Sequence, residues 1–161
     1  MHVSRVITYQ PECVRELCSH LPDYAVVAEI GCLHGRSTQI LSKYAALVYA
    51  VEPEVTPELS HICLQDNIQL VSLESPAAAE HFEDSFFDMV YIDADHSYNA
   101  VVADIQAWLP KIKEGGLLAG HDYHHRYGVV KAIRDLFNKD PDILLRDSSW
   151  ALVNTSLRIP P

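Results

Sequence analysis

Carboxylates and an imidazole follow two apolar runs in the second half of this sequence. Asp93 and His96 come just after the run 86–92, and Asp122 comes just after the run 117–120. Carboxylates that lie close together raise one another's pKa or recruit a cation, and an imidazole can accept a proton near neutral pH. If both runs are strands of one parallel sheet, their ends share the edge where ligands bind. These residues therefore predict a site for proton transfer, cation binding or both.

Two kinds of metal site are compatible with these residue types. Oxygen ligands from Asp93 and Asp122 would hold a hard divalent ion such as magnesium. The histidines that surround Asp122, namely His121, His124 and His125, would instead suit a softer metal. We expect two of these three histidines to lie on a loop surface, but residue types alone leave both alternatives open.

A second candidate site lies in the stretch VVAEIGCLHGRST, from Val26 to Thr38. The apolar run from Ala25 to Ile30 predicts a buried strand, and glycines at positions 31 and 35 predict a turn that approaches a ligand closely. A helix is predicted to open at Arg36. A strand, a glycine turn and a helix in this order form the first unit of a nucleotide-binding α/β sheet.

The residues around the glycine turn discriminate between cofactors. A dinucleotide fingerprint has glycine at the position that Leu33 occupies here, because the pyrophosphate must approach the backbone. Glu29 would repel a pyrophosphate, but it would attract the ammonium and sulfonium groups of S-adenosylmethionine. The turn therefore favours S-adenosylmethionine over NAD, with Gly31 and Gly35 close to the donor.

Acidic residues also follow the next two apolar runs. Glu52 ends the run 47–51, about twenty residues past the glycine turn, where a carboxylate accepts both hydroxyls of a ribose. Glu74 and Ser75 follow the run 67–73, whose end should lie near the adenine, and either residue could reach the edge of the ring. A helix N-cap is an equally good prediction for Ser75.

Strands and helices alternate along the rest of the chain, which is typical of an α/β sheet. Strands are predicted at 25–30, 47–51, 67–73, 86–92 and 117–120. Helices are predicted at 9–21, 36–46, 77–82, 99–109 and 129–137, with a polar connection or short helix at 57–66 and a helix break at 115–116. Two final strands, 143–146 and 150–153, flank Asp147-Ser148-Ser149 and predict an antiparallel hairpin.

The composition indicates which class of partner the protein binds and in which compartment it works. A net charge of −10 argues against binding to a phosphate backbone and favours a small molecule over a nucleic acid. At 161 residues we expect one domain, residues 1–161, with a covering helix in 1–24 and a core in 25–154. The cysteines show no paired spacing, no leader is evident, and no run is long enough to enter a membrane, so we expect a cytoplasmic protein.

The order of these motifs resembles the class I S-adenosylmethionine-dependent methyltransferases. EIGCLHGRST, YAVEP, FDMVYIDADHSY and DIQAWLPKIKEGGLLAGHDY carry the resemblance, which extends from Ala25 to Val153. It is nearest to the group of macrolide-sugar O-methyltransferases and cephalosporin-hydroxylase-like proteins. The resemblance implies an α/β fold, a Rossmann-like three-layer sandwich whose mostly parallel seven-stranded sheet has a reversed terminal strand.

The resemblance also implies roles for individual residues. Glu29, Gly31 and Ser37 would bind the donor, with Glu52 on the ribose. The residues that match the acceptor side of the family's site are Asp93 and Asp122, as metal ligands, and His96, as the catalytic base. Tyr123 departs from the family, whose metal site has an acid or an amide there, so Asp95, His121 or water would complete the shell.

We therefore expect S-adenosylmethionine-dependent methylation of a small-molecule hydroxyl, with catalytic residues His96 and Asp93 and with or without magnesium. Two alternatives stay open: a donor-binding module or subunit without turnover, and an NAD-dependent Rossmann enzyme. The sequence does not distinguish sugar, phenol or antibiotic-like hydroxyls, and nitrogen acceptors stay open as well. A homodimer that completes each pocket would offset the short chain, which lacks the lid segments of larger relatives.

Overall fold

Seven strands form one sheet in the computed structural model, which describes residues 11–124, 126–155 and 157–159. The strands are β1 Val26–Ile30, β2 Leu47–Val51, β3 Ile68–Val71, β4 Phe87–Ile92, β5 Ile112–Gly120, β6 Ile143–Leu144 and β7 Trp150–Val153. The helices are α1 Pro11–Cys18, α2 Arg36–Leu41, α3 Pro57–Ile62, α4 Ser75–Ala79, α5 Tyr98–Trp108 and α6 Tyr127–Phe137, with a 3₁₀ turn at Leu109–Lys111.

The strand order is β3-β2-β1-β4-β5-β7-β6. The first five strands in this order are parallel, β7 runs antiparallel to β5, and β6 runs antiparallel to β7. This arrangement confirms the predicted Rossmann-like α/β sheet with a reversed terminal strand.

Apolar side chains cover both faces of the sheet, because parallel strands of this kind are buried between helices. Every residue of β4 is buried. Ile105 and Trp108 of α5 pack on one face with Phe87, and Leu17 and Leu41 pack on the other face. The result is the predicted three-layer sandwich.

Parallel pairing brings the predicted site residues to one edge of the sheet. Ile30 lies opposite Val51 and Ile92, and Ile92 lies opposite Gly120. The residues that follow these strand ends therefore form a row, in the order Glu52, Gly31, Asp93 and His121.

Some element boundaries differ from the sequence prediction. The helix predicted at 36–46 ends at Leu41, because the Ala46 N–H already donates to the Ala25 carbonyl as the chain enters β2. Residues 115–116 lie within β5 and break no helix, since α5 is followed directly by the 3₁₀ turn around Pro110. The helix predicted at 9–21 ends at Cys18, and its first two residues lie outside the described ranges.

No helix within the described ranges has both the length and the apolar character needed to cross a bilayer.

Candidate functional site

Two adjoining cavities open at the carboxyl edge of the sheet. The larger has a volume of about 710 Å³ and lies over β2, α4 and α5, and the smaller has a volume of about 380 Å³ and lies over the start of α2. The residues that line both are Gly31, Leu33, Asp93 and His96. The glycine turn and the end of β4 therefore form the junction between the two cavities.

Gly31 lets the ends of β1 and β4 come together. Its φ is +84°, and a Cβ there would lie 2.6 Å from the Ala94 Cα and 2.7 Å from the Asp93 carbonyl oxygen. Gly35 also has a positive φ, +76°, but it lines neither of these cavities, and its Cβ would meet the Ile62 side chain at 2.8 Å. The first glycine thus shapes the site, and the second packs against α3.

Glu29 is completely buried and lines neither cavity. Its carboxylate accepts hydrogen bonds from the Ser37 hydroxyl and, at 2.5 Å, from the Thr38 hydroxyl. Burial raises the pKa of Glu29 to about 7, although both hydroxyls oppose the shift. The carboxylate therefore links α2 to β1 through these hydrogen bonds. Its predicted contact with the donor stays a prediction. Ser37 lies between this carboxylate and the smaller cavity.

Glu52 crosses from β2 to hold the glycine turn. One carboxylate oxygen accepts from the backbone N–H groups of Cys32 and Leu33, both at 3.0 Å, and the other accepts from the Glu54 N–H at 3.0 Å. The side chain also lines the larger cavity. Because two carboxylate oxygens offer about four acceptor positions, Glu52 keeps capacity for a ligand hydroxyl.

Asp93 and His96 line the junction of the cavities, and Asp122 lies beside them. One ligand atom from each lies within 4.8 Å of the others, and His96 Nε2 is 3.1 Å from Asp122 Oδ2. Burial raises the pKa of Asp93 to about 7, with a further rise from the negative charge of Asp122. Burial lowers the pKa of His96, against the opposing charge of Asp122. The two carboxylates could supply oxygen ligands to one divalent cation.

His121 lies behind this cluster, between two carboxylates. Its Nδ1 is 3.4 Å from Asp122 Oδ1, and its Nε2 is 3.7 Å from Asp147 Oδ2. Burial lowers the pKa of His121, but the two carboxylates outweigh it and raise the pKa to about 10. The carboxylates thus favour the protonated form of His121. Of the other histidines considered for a softer metal, His124 is exposed and His125 lies outside the described residues.

A sequence profile described as a methyltransferase domain matches residues 28–123, which include the glycine turn and both acidic strand ends. The chain belongs to this methyltransferase family. Its sheet order and motifs make it a class I S-adenosylmethionine-dependent methyltransferase, as the resemblance predicted. The NAD-dependent alternative does not fit this family.

Solved methyltransferase structures share the fold of this methyltransferase. CalS11, a TDP-rhamnose 3′-O-methyltransferase of calicheamicin biosynthesis, has a TM-score of 0.64 at 16% identity, over 89% of this chain and 76% of that chain. MycE from the mycinamycin biosynthetic pathway, in complex with Mg and SAH, has a TM-score of 0.66 at 16% identity, over 90% and 48%. An rRNA methylase from Streptococcus thermophilus has a TM-score of 0.65 at 15% identity, over 89% and 94%.

At these identities the likeness shows the fold alone. The methyltransferase spans about half the length of some matched chains, namely 48% of MycE and 46% of another. No curated protein sequence matches it significantly.

The predicted adenine end of the methyltransferase site contains a residue that the sequence analysis missed. Glu74 and Ser75 both line the larger cavity. The Ser75 hydroxyl, however, donates to Asp104 and accepts from the Trp108 indole N–H at 2.9 Å. Asp104 lines the same cavity from α5. A sequence signal existed, because an acid at position 104 interrupts the apolar face formed by Val101 and its helical neighbours.

Proposed function

We propose that this methyltransferase transfers the methyl group of S-adenosylmethionine to a hydroxyl of a small molecule. The observation that carries the proposal is the cluster of Asp93, His96 and Asp122, of which Asp93 and His96 line both cavities. A base beside a cation-attracting carboxylate is what attack by a hydroxyl on a sulfonium methyl needs. The acidic lining of the larger cavity also favours a positively charged donor.

The adenosyl part of the donor would occupy the larger cavity. Glu52 would accept the ribose hydroxyls, Glu74 and Ser75 would lie at the adenine end, and Gly31 would let the sulfonium approach Asp93. Ser37 would face the amino-acid part from the smaller cavity. In this arrangement Glu29 would act on the donor through Ser37.

His96 would serve as the general base. Its Nε2 lies 3.1 Å from Asp122, so an N–H there donates to the carboxylate and Nδ1 is left to accept a proton. As the acceptor hydroxyl loses its proton to Nδ1, its oxygen attacks the methyl carbon and the C–S bond breaks. Neutral S-adenosylhomocysteine leaves. Holding the two reactants in line can contribute roughly 7–11 kcal/mol to lowering the barrier.

A divalent cation such as magnesium would be held by Asp93 and Asp122. When bound, it would lower the pKa of the acceptor hydroxyl. Tyr123 does not compete for this place, because its ring is buried and its hydroxyl pairs with Asp140 at 2.5 Å. Water would therefore complete the shell.

Replacing His96 separates catalysis from donor binding. We expect His96→Asn to reduce methyl transfer by roughly 10²–10⁴-fold, the usual contribution of a general base. The affinity for S-adenosylhomocysteine, measured by calorimetry, should stay close to that of the wild type. His124→Asn is the matched control, since this exposed histidine follows β5 and should leave both quantities unchanged.

Three other results would contradict the proposed function. Equal losses of turnover and donor affinity in His96→Asn would make His96 a structural residue. Donor binding by the wild type without transfer to any hydroxyl or amine, with or without magnesium, would identify a donor-binding module without turnover. Absence of donor binding would overturn the proposal altogether.

A further inference from the structure

Asp104 is a buried acid that the proposed chemistry does not use. The residue is 4% exposed, yet it lines the larger cavity from α5. Its Oδ1 accepts the hydrogen bond from Ser75. Within the described ranges, Oδ2 accepts no hydrogen bond. Oδ2 is not among the sealed polar atoms that lack a partner, so it is open to the cavity, and a hydrogen-bond donor from whatever fills the cavity can reach it.

Ser75 and Trp108 fix the direction of this carboxylate. Trp108 is completely buried, and its indole N–H donates to the Ser75 oxygen at 2.9 Å. Ser75 then donates its single hydroxyl proton to Asp104. Ser75 therefore positions Asp104, and Asp104 is the group of this pair that can reach a ligand.

The lining of the larger cavity provides no cation to pair with Asp104. No lysine or arginine of the described residues lines it, and six of its lining residues are acids. Burial raises the pKa of Asp104, against the Ser75 hydrogen bond that lowers it. An occupant that donates a hydrogen bond to Oδ2 would relieve this unfavourable burial.

The walls beside Asp104 fit a flat ring. Ala100 and Ala103 precede Asp104 on the same face of α5, at helical spacing, and Pro76 lines the cavity from α4. Such small and rigid side chains leave a slot with apolar faces and one polar group at its end. A purine with an exocyclic amino group has the matching shape and donor.

We propose that Asp104 recognises the 6-amino group of the donor's adenine and so determines the base specificity of the site. Oδ2 accepts a hydrogen bond from the amino group, and Ala100 and Ala103 face the ring. This inference rests on the proposed donor site, and it names a residue on α5 where the sequence pointed to Glu74 and Ser75.

Two ligands, each measured with the wild type, Asp104→Asn and a control variant, test the assignment. The ligands are S-adenosylhomocysteine and its analogue with purine in place of adenine, which lacks only the 6-amino group. The wild type should bind S-adenosylhomocysteine about 10- to 100-fold more tightly than the analogue, as expected for one hydrogen bond to a charged group. In Asp104→Asn, Ser75 still donates to the amide oxygen, so the amide NH₂ faces the adenine amino group and this preference should disappear.

The pattern of affinities separates the outcomes. The analogue should bind the wild type and Asp104→Asn almost equally, which shows that the variant is folded. Glu54→Gln, which removes an acid of the same cavity whose side chain has no proposed role, should keep the wild-type preference. Equal binding of both ligands by the wild type, or equal losses of both in Asp104→Asn, would overturn the inference. Absence of binding of either ligand to the wild type would overturn the donor site itself.

Discussion

Glu29 precedes the glycine turn in the sequence and Glu52 follows it, and their carboxylates have different hydrogen-bond partners. Glu29 is sealed beneath α2 with the hydroxyls of Ser37 and Thr38, whereas Glu52 holds two backbone N–H groups of the turn and lines the larger cavity. The sequence predicted both acids near the donor, Glu29 because it precedes the glycine turn and Glu52 because it follows the second strand. Only the side-chain contacts show that Glu29 supports the site from beneath and that Glu52 lines it.

The burial of Glu29 should make folding stability depend on pH. Its pKa rises from 4.5 to about 7 on folding, so the stability present below pH 4.5 is lost as the pH rises through 7. Chemical denaturation of wild type and Glu29→Gln at pH 5 and pH 8 measures this loss. We expect the wild type to lose more stability than the variant between these values, by on the order of 3 kcal/mol. Parallel pH dependence in the two proteins would show that Glu29 folds with an ordinary pKa.

The partners of the Ser75 and Tyr123 hydroxyls could not be predicted from the sequence, whereas the position of the acidic cluster could. Asp93, His96 and Asp122 could be expected at one edge, because the ends of parallel strands meet there. The pairing of Ser75 with Asp104 and of Tyr123 with Asp140 joins residues 29 and 17 positions apart. Neither pairing follows from local pattern, since each depends on how two helices or loops pack.

At the element scale, the junction of β1, β4 and the glycine turn determines the shape of the site. The first, second and fourth strands were predicted closely because they are continuous apolar runs with polar ends, whereas β5 begins at Ile112, well before its predicted start at residue 117. The helix after the turn was predicted too long, since its apolar spacing continues to Tyr44 although the chain already turns toward β2. Tertiary pairing at Ala25, which periodicity does not reveal, sets that boundary.

Two glycines with the same backbone geometry allow the close approach at this junction to be tested. Gly31 and Gly115 have φ values of +84° and +78°, but a Cβ would meet backbone atoms only at Gly31 and nothing within 4 Å at Gly115. Gly115→Ala should therefore lose about 1–2 kcal/mol, the cost of a left-handed conformation, and should bind the donor normally.

Gly31→Ala should lose more stability than Gly115→Ala, because the ends of β1 and β4 must also move apart. Its affinity for S-adenosylhomocysteine should fall roughly tenfold or more, which corresponds to about 1.4 kcal/mol. Thermal unfolding and calorimetry measure the two quantities. Equal behaviour of the two variants would mean that the close approach has no role in the site.

At the scale of the whole molecule, charge and cavity lining point to the same kind of ligand. The chain has a net charge of −10, and acids surround the larger cavity at its donor end. This distribution disfavours a phosphate backbone and favours a cationic donor with a small acceptor.

An isotope label shows which atom receives the methyl group. S-adenosylmethionine labelled with ¹³C in its methyl group is incubated with the protein and a panel of small-molecule hydroxyls and amines, and the product is followed by NMR. We expect the label to appear as an oxygen-bound methyl with the wild type and not with His96→Asn. A label that stays on the donor, or that appears on nitrogen alone, would contradict it.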